Sequence, residues 1–388
     1  MTSPRLPDVR AQLPALASTT YLNSGAIGPL CLPAARALAD WAEAAPHRAR
    51  GSLEGFGRIS AQAAAVRAAA GLLVGAGPES VALTANTTHG INLAAWGIDW
   101  RPGDEIVTTA LEHPGLAVPL AVVARRSEAR LRVIGAERAG GDLEGAVAEV
   151  AGPRTRLVAL SHVSWATGAV LDVAGAARAA RAAGALVAVD GAQAVGTIPV
   201  DAAALGADVY AFPAHKWLLG PEGLGALWVR PGAMERIDLT VAGLESAADG
   251  RAHGEHGAME PHPSARRYEA STLPAALLPA WEASMAWLAG LGWPWIHGRV
   301  AEARAATREA LGAIPGVHVL TPPGPQAGLV TFTVAGTAPA GGAADLAAGG
   351  VVVRSLPRPE ALRASVGFFT DDADIARLAA GVAALSSC

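Results

Sequence analysis

The apolar run Ala185-Leu186-Val187-Ala188-Val189 ends in Asp190, and a second, Asp208-Val209-Tyr210-Ala211-Phe212, runs into His215-Lys216, twenty-six residues after the aspartate. A carboxylate and an amine at neighbouring strand ends suit pyridoxal 5'-phosphate (PLP): the amine holds its aldehyde as a Schiff base while the acid pairs with the pyridinium nitrogen. A carboxylate at close range favours the protonated ring by about one to three pKa units, which makes the ring an electron sink. Lys216 reads as the Schiff-base residue and not as a surface lysine, because Phe212-Pro213-Ala214 and Trp217-Leu218-Leu219 flank the pair with apolar side chains. Lys216 and Asp190 are thus the first two catalytic candidates.

Leu83-Thr84 leads into Ala85-Asn86-Thr87-Thr88-His89-Gly90, a strand end, a small polar turn and a helix start. Unpaired N–H groups at a helix N-terminus, with the Thr87 and Thr88 hydroxyls beside them, form a phosphate cradle. Alone, such a run is an ordinary helix cap; beside Asp190 and Lys216 it reads as the cofactor's phosphate site. The following strand closes on Glu112-His113-Pro114-Gly115. His113 is placed to stack on the pyridine ring and to move a proton, a third catalytic candidate. Gln193, three residues after Asp190, is placed to reach the cofactor's phenolic oxygen.

Strand ends must hold these groups. From about residue 80, short apolar runs at 81–84, 105–109, 156–161, 185–190 and 208–212 alternate with Ala-rich helical stretches such as 173–183. Unbroken apolar strands separated by helices predict an α/β fold with a mainly parallel sheet covered on both faces, and ligands gather beyond the carboxyl ends of such strands. Between 242 and 271 the periodicity dissolves into Gly, His and Pro. Helical patterns at 275–291 and 299–311, strand patterns at 328–333 and 351–354, and a last helix from about residue 372 then predict a smaller α+β domain. The expected division is a large PLP-binding domain over 15–265 and a small domain over 266–388 that includes 1–14.

A chain of 388 residues exceeds the size at which one core keeps growing, in keeping with two domains. Charged residues make up 16%, against about 25% in an average globular protein, while 51% are hydrophobic, so a large subunit interface is expected to cover part of the surface. A net charge of -4 with no Lys or Arg block leaves no footprint for nucleic acid or an anionic membrane. The N-terminus lacks the apolar centre of a signal peptide, and the stretch 273–296 is broken by Glu282, prolines and glycines, so a cytoplasmic protein is expected. Cys31 and Cys388 are too few for a disulfide framework. His253-Gly254-Glu255-His256, with His262 nearby, lacks a zinc-site spacing, and no metal is expected.

These residues resemble the class V branch of fold-type I PLP enzymes, the group of cysteine desulfurases, isopenicillin N epimerase-like proteins and cyst(e)ine C–S lyases. The likeness runs from Tyr21-Leu22-Asn23-Ser24-Gly25 to the final helix. Trp96-Gly97-Ile98-Asp99-Trp100, Glu112-His113-Pro114-Gly115, Leu160-Ser161-His162, Trp165, Thr167-Gly168 and Pro325-Gln326-Ala327-Gly328 look most like the C–S lyase branch. The resemblance implies the fold-type I architecture, with a seven-stranded sheet. It implies that Thr88 and His215 bind the phosphate, that Thr272 reaches the phosphate of a neighbouring subunit, and hence that the active unit is a homodimer. It also implies that Gly25 and Trp165 line the substrate site, that Arg363 forks onto the α-carboxylate of an amino-acid substrate, and that Arg354 meets a distal carboxylate. Two positions depart from the pattern: Ala214 stands where serine often precedes the His-Lys pair, and Ala166 where the lyase has asparagine.

Desulfurases of this branch pass sulfur to a mobile cysteine in the segment matching 354–362. Here that segment is Arg354-Ser355-Leu356-Pro357-Arg358-Pro359-Glu360-Ala361-Leu362, short and without cysteine. The nucleophile of a desulfurase is missing. The favoured expectation is a C–S lyase acting by β-elimination on cystine or a related sulfur amino acid, giving a persulfide or thiol, pyruvate and ammonia. Aminotransfer and epimerisation remain open, and a non-enzymatic PLP-binding protein stands further off because no DNA-binding motif accompanies the core.

Overall fold

The structure, a computed structural model, describes residues 4–248 and 259–386. Its central sheet has seven strands in the order Val81–Thr84, Gly225–Val229, Val209–Pro213, Leu186–Asp190, Thr155–Ser161, Glu105–Thr109 and Arg130–Ile134. Gly225–Val229 runs antiparallel to both neighbours, and every other pairing is parallel. The expected mainly parallel seven-stranded α/β core is therefore present. Successive residues of one strand serve two cores: Val187 and Val189 pack in one cluster with Val66, Ala70, Ala176 and Ala180, while Leu186 and Ala188 pack in the other with Ile91, Leu93, Leu116 and Leu120. A strand buried on both faces has no reason to alternate polar with apolar residues, which accounts for the unbroken apolar runs.

Two strands of this sheet lie outside the five apolar runs read above. Arg130–Ile134 is an edge strand, mostly exposed, and carries Arg130 and Arg132, the kind of charge that disfavours further strand pairing. Gly225–Val229 returns immediately after the turn that follows Lys216.

A second, four-stranded antiparallel sheet orders Arg354–Pro357, Glu360–Ser365, Leu329–Val334 and Val317–Val319, with the helices Trp293–Gly312, Pro339–Ala348 and Asp372–Ser386 around it. This is the smaller α+β subdomain. Thr20–Tyr21 pairs in parallel with Val351–Val352, and Asn23 bridges to Ser365, so an early segment of the chain is bound into this late part. The stretch 273–296 folds as Leu278–Leu291 and the first turn of Trp293–Gly312, broken at Gly292 and restarted with Pro294 in the opening turn, where its missing N–H costs nothing. Leu278, Trp281, Met285 and Leu288 join the core that packs on Val187 and Val189 of the large sheet. Among the described residues no helix is long and apolar enough to cross a membrane.

Candidate active site

A cavity of about 570 Å³ opens beyond the carboxyl ends of the central strands and takes in every site residue expected from sequence except Thr272. Three regions of it can be told apart by chemistry.

The first is the start of the helix Thr87–Trp96. Asn86 caps it, its Oδ1 accepting from the His89 N–H at 2.9 Å, and the Asn86 carbonyl accepts from Gly90. Thr87 and Thr88 stand in the first turn, whose N–H groups have no intrahelical acceptor, and both line the cavity. Thr87 Oγ1 and His215 Nδ1 are buried there without a hydrogen-bond partner. Burial and the neighbouring Lys216 lower the His215 pKa. Two orphaned polar atoms beside free helix N–H groups fit a phosphate, and this corner can hold the phosphate of PLP.

The second region is set by strand ends. Asp190, the last residue of Leu186–Asp190, accepts from the Ala192 N–H at 2.8 Å through Oδ1, leaving its other oxygen for a ring N–H. Burial raises its pKa and the charge of Lys216 opposes that rise. Lys216 is the only lysine in the chain. Burial lowers its amine to about 8 against the pull of Asp190, with Arg363 and Arg354 pushing the same way as burial, so it loses its proton far more readily than an ordinary lysine. His113 caps the helix Pro114–Arg126, and its Nδ1 accepts from the Gly115 N–H at 2.9 Å. Burial first, then the charges of Lys216, Arg354 and Arg363, push its pKa down to about 4. At neutral pH it is an uncharged ring with its proton on Nε2, meeting Trp165 edge to face at 4.9 Å between centroids. Gln193 has more partners than the sequence suggests: its Nε2 donates to the Gly25 carbonyl at 2.9 Å and its Oε1 accepts from the Trp217 indole at 2.9 Å, so one amide N–H remains for a ligand.

The third region is cationic. Arg354 and Arg363 are opposite one another in the antiparallel pair of Arg354–Pro357 with Glu360–Ser365, a register that puts both side chains on one face. Arg363 is 1% exposed, its Nη1 donates to the Trp165 carbonyl at 2.6 Å, and burial beside Arg354 lowers its pKa to about 9, still protonated near neutrality. Gly25 lies against this head group: a Cβ there would stand 3.0 Å from Arg363 Nη2 and 2.8 Å from Ser365 Oγ, so only glycine leaves the guanidinium room.

Thr272 lies elsewhere. It is exposed, at φ +36°, with Ser271 Oγ 3.3 Å from its hydroxyl, and does not line its own chain's cavity. Cys31 is fully buried, and burial pushes its thiol up. His253, His256 and Cys388 lie outside the described residues, among which no group of side chains is arranged to hold a metal.

Two features were not anticipated. Behind Asp190, His162 Nδ1 and the Tyr210 hydroxyl are 2.8 Å apart in full burial, a pairing invisible in sequence because 48 residues separate them. Glu112, whose one signal was its place before His113, is buried, and desolvation raises its carboxyl to about 7.

Known proteins share this fold. The family described as Aminotransferase class-V matches residues 20–378. A probable cysteine desulfurase of Pseudomonas aeruginosa is 36% identical over 77% of this chain and 76% of its own length. The isopenicillin N epimerase of Streptomyces clavuligerus is 32% identical over 81% and 82%. Among solved structures, the cystine C–S lyase C-DES in complex with its reaction product cysteine persulfide superposes with a TM-score of 0.90 at 30% identity, covering 96% of this chain and 99% of that one. A lysine-to-alanine variant of C-DES, with glycine covalently linked to the PLP cofactor, superposes with a TM-score of 0.91. A phosphate corner, a buried Asp–Lys pair and two facing arginines in a fold-type I framework agree with these matches: the chain belongs to the aminotransferase class-V family of PLP-dependent enzymes.

Proposed function

We propose that the protein is a PLP-dependent C–S lyase that splits cystine or a related amino-acid disulfide by β-elimination. The observation that carries the reading is the segment after Val353, a tight hairpin in which Pro357 pairs with Glu360 across a two-residue turn, with no cysteine to accept sulfur. The likeness to C-DES over nearly the whole chain supports it. When bound, PLP supplies a sink for the electron pair left at the substrate α-carbon. Asp190 would keep the proton on the ring nitrogen. Thr87, Thr88 and His215 would hold the phosphate, and the spare N–H of Gln193 would be available to the phenolic oxygen. The neutral His113 would pack on the ring, and Lys216 Nζ would take the α-proton. Arg363 grips the α-carboxylate beside Gly25 and Trp165, while Arg354 meets the distal one. The Cβ–S bond then breaks with a persulfide as leaving group, a weaker base than a thiolate, and the three-carbon remainder hydrolyses to pyruvate and ammonia.

The test is pyruvate release from cystine with no keto acid added. Aminotransfer would require a keto acid, and epimerisation, which the Streptomyces relative keeps in view, would scramble the α-centre and release nothing. The two arginines should respond unequally. Arg363→Ala is expected to depress turnover on every amino acid, and Arg354→Ala to raise KM chiefly for substrates with a distal carboxylate, by about ten- to a hundredfold for loss of one charged partner. Equal effects on cystine and on a monocarboxylate thioether would overturn the diacid assignment.

The proposal includes a homodimer with shared sites, Thr272 of one subunit reaching the phosphate of the other; its exposure and its place outside the lining of its own chain's cavity support this. Mixing inactive Lys216→Ala subunits with Thr272→Ala subunits is then expected to put both lesions in one site and leave the other intact. Activity above that of both parents, measured on isolated heterodimers, is the expected result, and its absence would remove Thr272 from the site.

A further inference from the structure

The parallel ladder between Glu105–Thr109 and Thr155–Ser161 stops at Val107 and Val158, although both strands continue toward the cavity. Glu112 bridges the gap. Its Oε2 accepts from the Ser161 N–H at 2.9 Å and from the Ser161 hydroxyl at 2.5 Å, and its Oε1 accepts from the Thr109 hydroxyl at 2.6 Å. Thr109 Oγ1 in turn accepts from the Leu111 N–H at 3.1 Å, so the turn that carries Glu112 is tied to the same point. On its other side Ser161 is in register with Asp190, and the His162 N–H donates to the Asp190 carbonyl at 2.9 Å. The residue after Glu112 is His113, the cap of the next helix.

We propose that Glu112 is a positioning residue of the reaction centre: its side chain replaces the missing ladder between the two strand ends and thereby sets the depth of His113 and of Asp190 together. A buried carboxyl facing Asp190 is costly, and burial raises its pKa to about 7, yet three donors converge on it. Without it the Ser161 N–H is a buried donor with no acceptor in the sheet. The contacts are geometric in purpose, so an isosteric amide should serve. In Glu112→Gln the amide oxygen can still accept from Ser161 while its N–H₂ donates to Thr109 Oγ1.

The inference rests on the roles given above to Asp190 and His113, and two readouts keep it separable from the lyase reading. One is amide hydrogen exchange at Ser161 in the PLP-loaded protein without substrate. The other is exchange of a bound amino acid's α-proton with deuterium from solvent, a step shared by lyase, aminotransferase and epimerase. Glu112→Ala is expected to speed Ser161 exchange by about tenfold or more, as local opening becomes easier. It should slow α-proton exchange by about 10²-fold, the scale of an ångström misplacement, with kcat changing more than KM. Glu112→Gln is expected to restore both to within about threefold of the starting protein, the residue left by neutral in place of charge-assisted hydrogen bonds. Equal impairment of the two variants, or Ser161 exchange unchanged in Glu112→Ala, overturns the proposal. Should Glu112→Ala not fold, Thr109→Val unties one oxygen only; it is expected to slow α-proton exchange measurably with PLP still bound, and an unchanged rate counts against the bridge.

Discussion

Lys216→Ala is expected to abolish turnover and, in the same preparation, the PLP label that borohydride fixes to the chain. No other side chain can take over either task. His113 is neutral, with Nδ1 committed to Gly115, and the buried Arg363 across the cavity stays protonated near neutrality. The loss in turnover should be about 10⁴-fold or more, since a single residue provides both the covalent tether and the base. Lys216 being the only lysine sharpens the measurement. Reduced label can fall on Lys216 or on the terminal α-amine, so intact-mass analysis before and after the substitution reads the site directly. One label per chain that persists in Lys216→Ala would refute the assignment.

Asp190→Ala should separate cofactor binding from cofactor use. The phosphate corner at the start of Thr87–Trp96 does not depend on Asp190, so the variant is expected to keep part of its PLP. Turnover should fall on the order of 10²–10³-fold, because a preorganised charge facing the developing electron density is removed. Asp190→Asn adds a control of nearly equal shape: if charge is what matters, asparagine restores PLP affinity more than rate. A variant within tenfold of the unmodified rate would mean that the ring nitrogen needs no carboxylate here.

Much of this site was legible because its chemistry is carried by strand ends, and buried parallel strands announce themselves as apolar runs. Asp190 and Lys216 are found by that rule alone. Arg354 and Arg363 required the likeness to a family; their facing geometry depends on the register of a hairpin whose turn, Arg358-Pro359, reads as a loop. Arg130–Ile134 was hidden because an edge strand, half-exposed and charged, lacks the pattern of its neighbours. The two partners of Gln193 and the bridge made by Glu112 were not readable at all, since each joins groups brought together only by the completed sheet: Gln193 to Gly25 spans 168 residues, and Glu112 to Ser161 spans 49.

The pairing of Thr20–Tyr21 with Val351–Val352 has a bearing on how the protein is made. The strands that carry Asp190 and Lys216 are all synthesised by Val229, so that half of the site can fold while the rest of the chain is still on the ribosome. The half that grips a carboxylate cannot. Gly25 and Asn23 must wait for Arg363 and Ser365, more than three hundred residues later, before that grip is complete. Cofactor capture can therefore precede substrate competence during biosynthesis, and a nascent chain stalled before residue 351 would hold a PLP site with no grip on an amino acid.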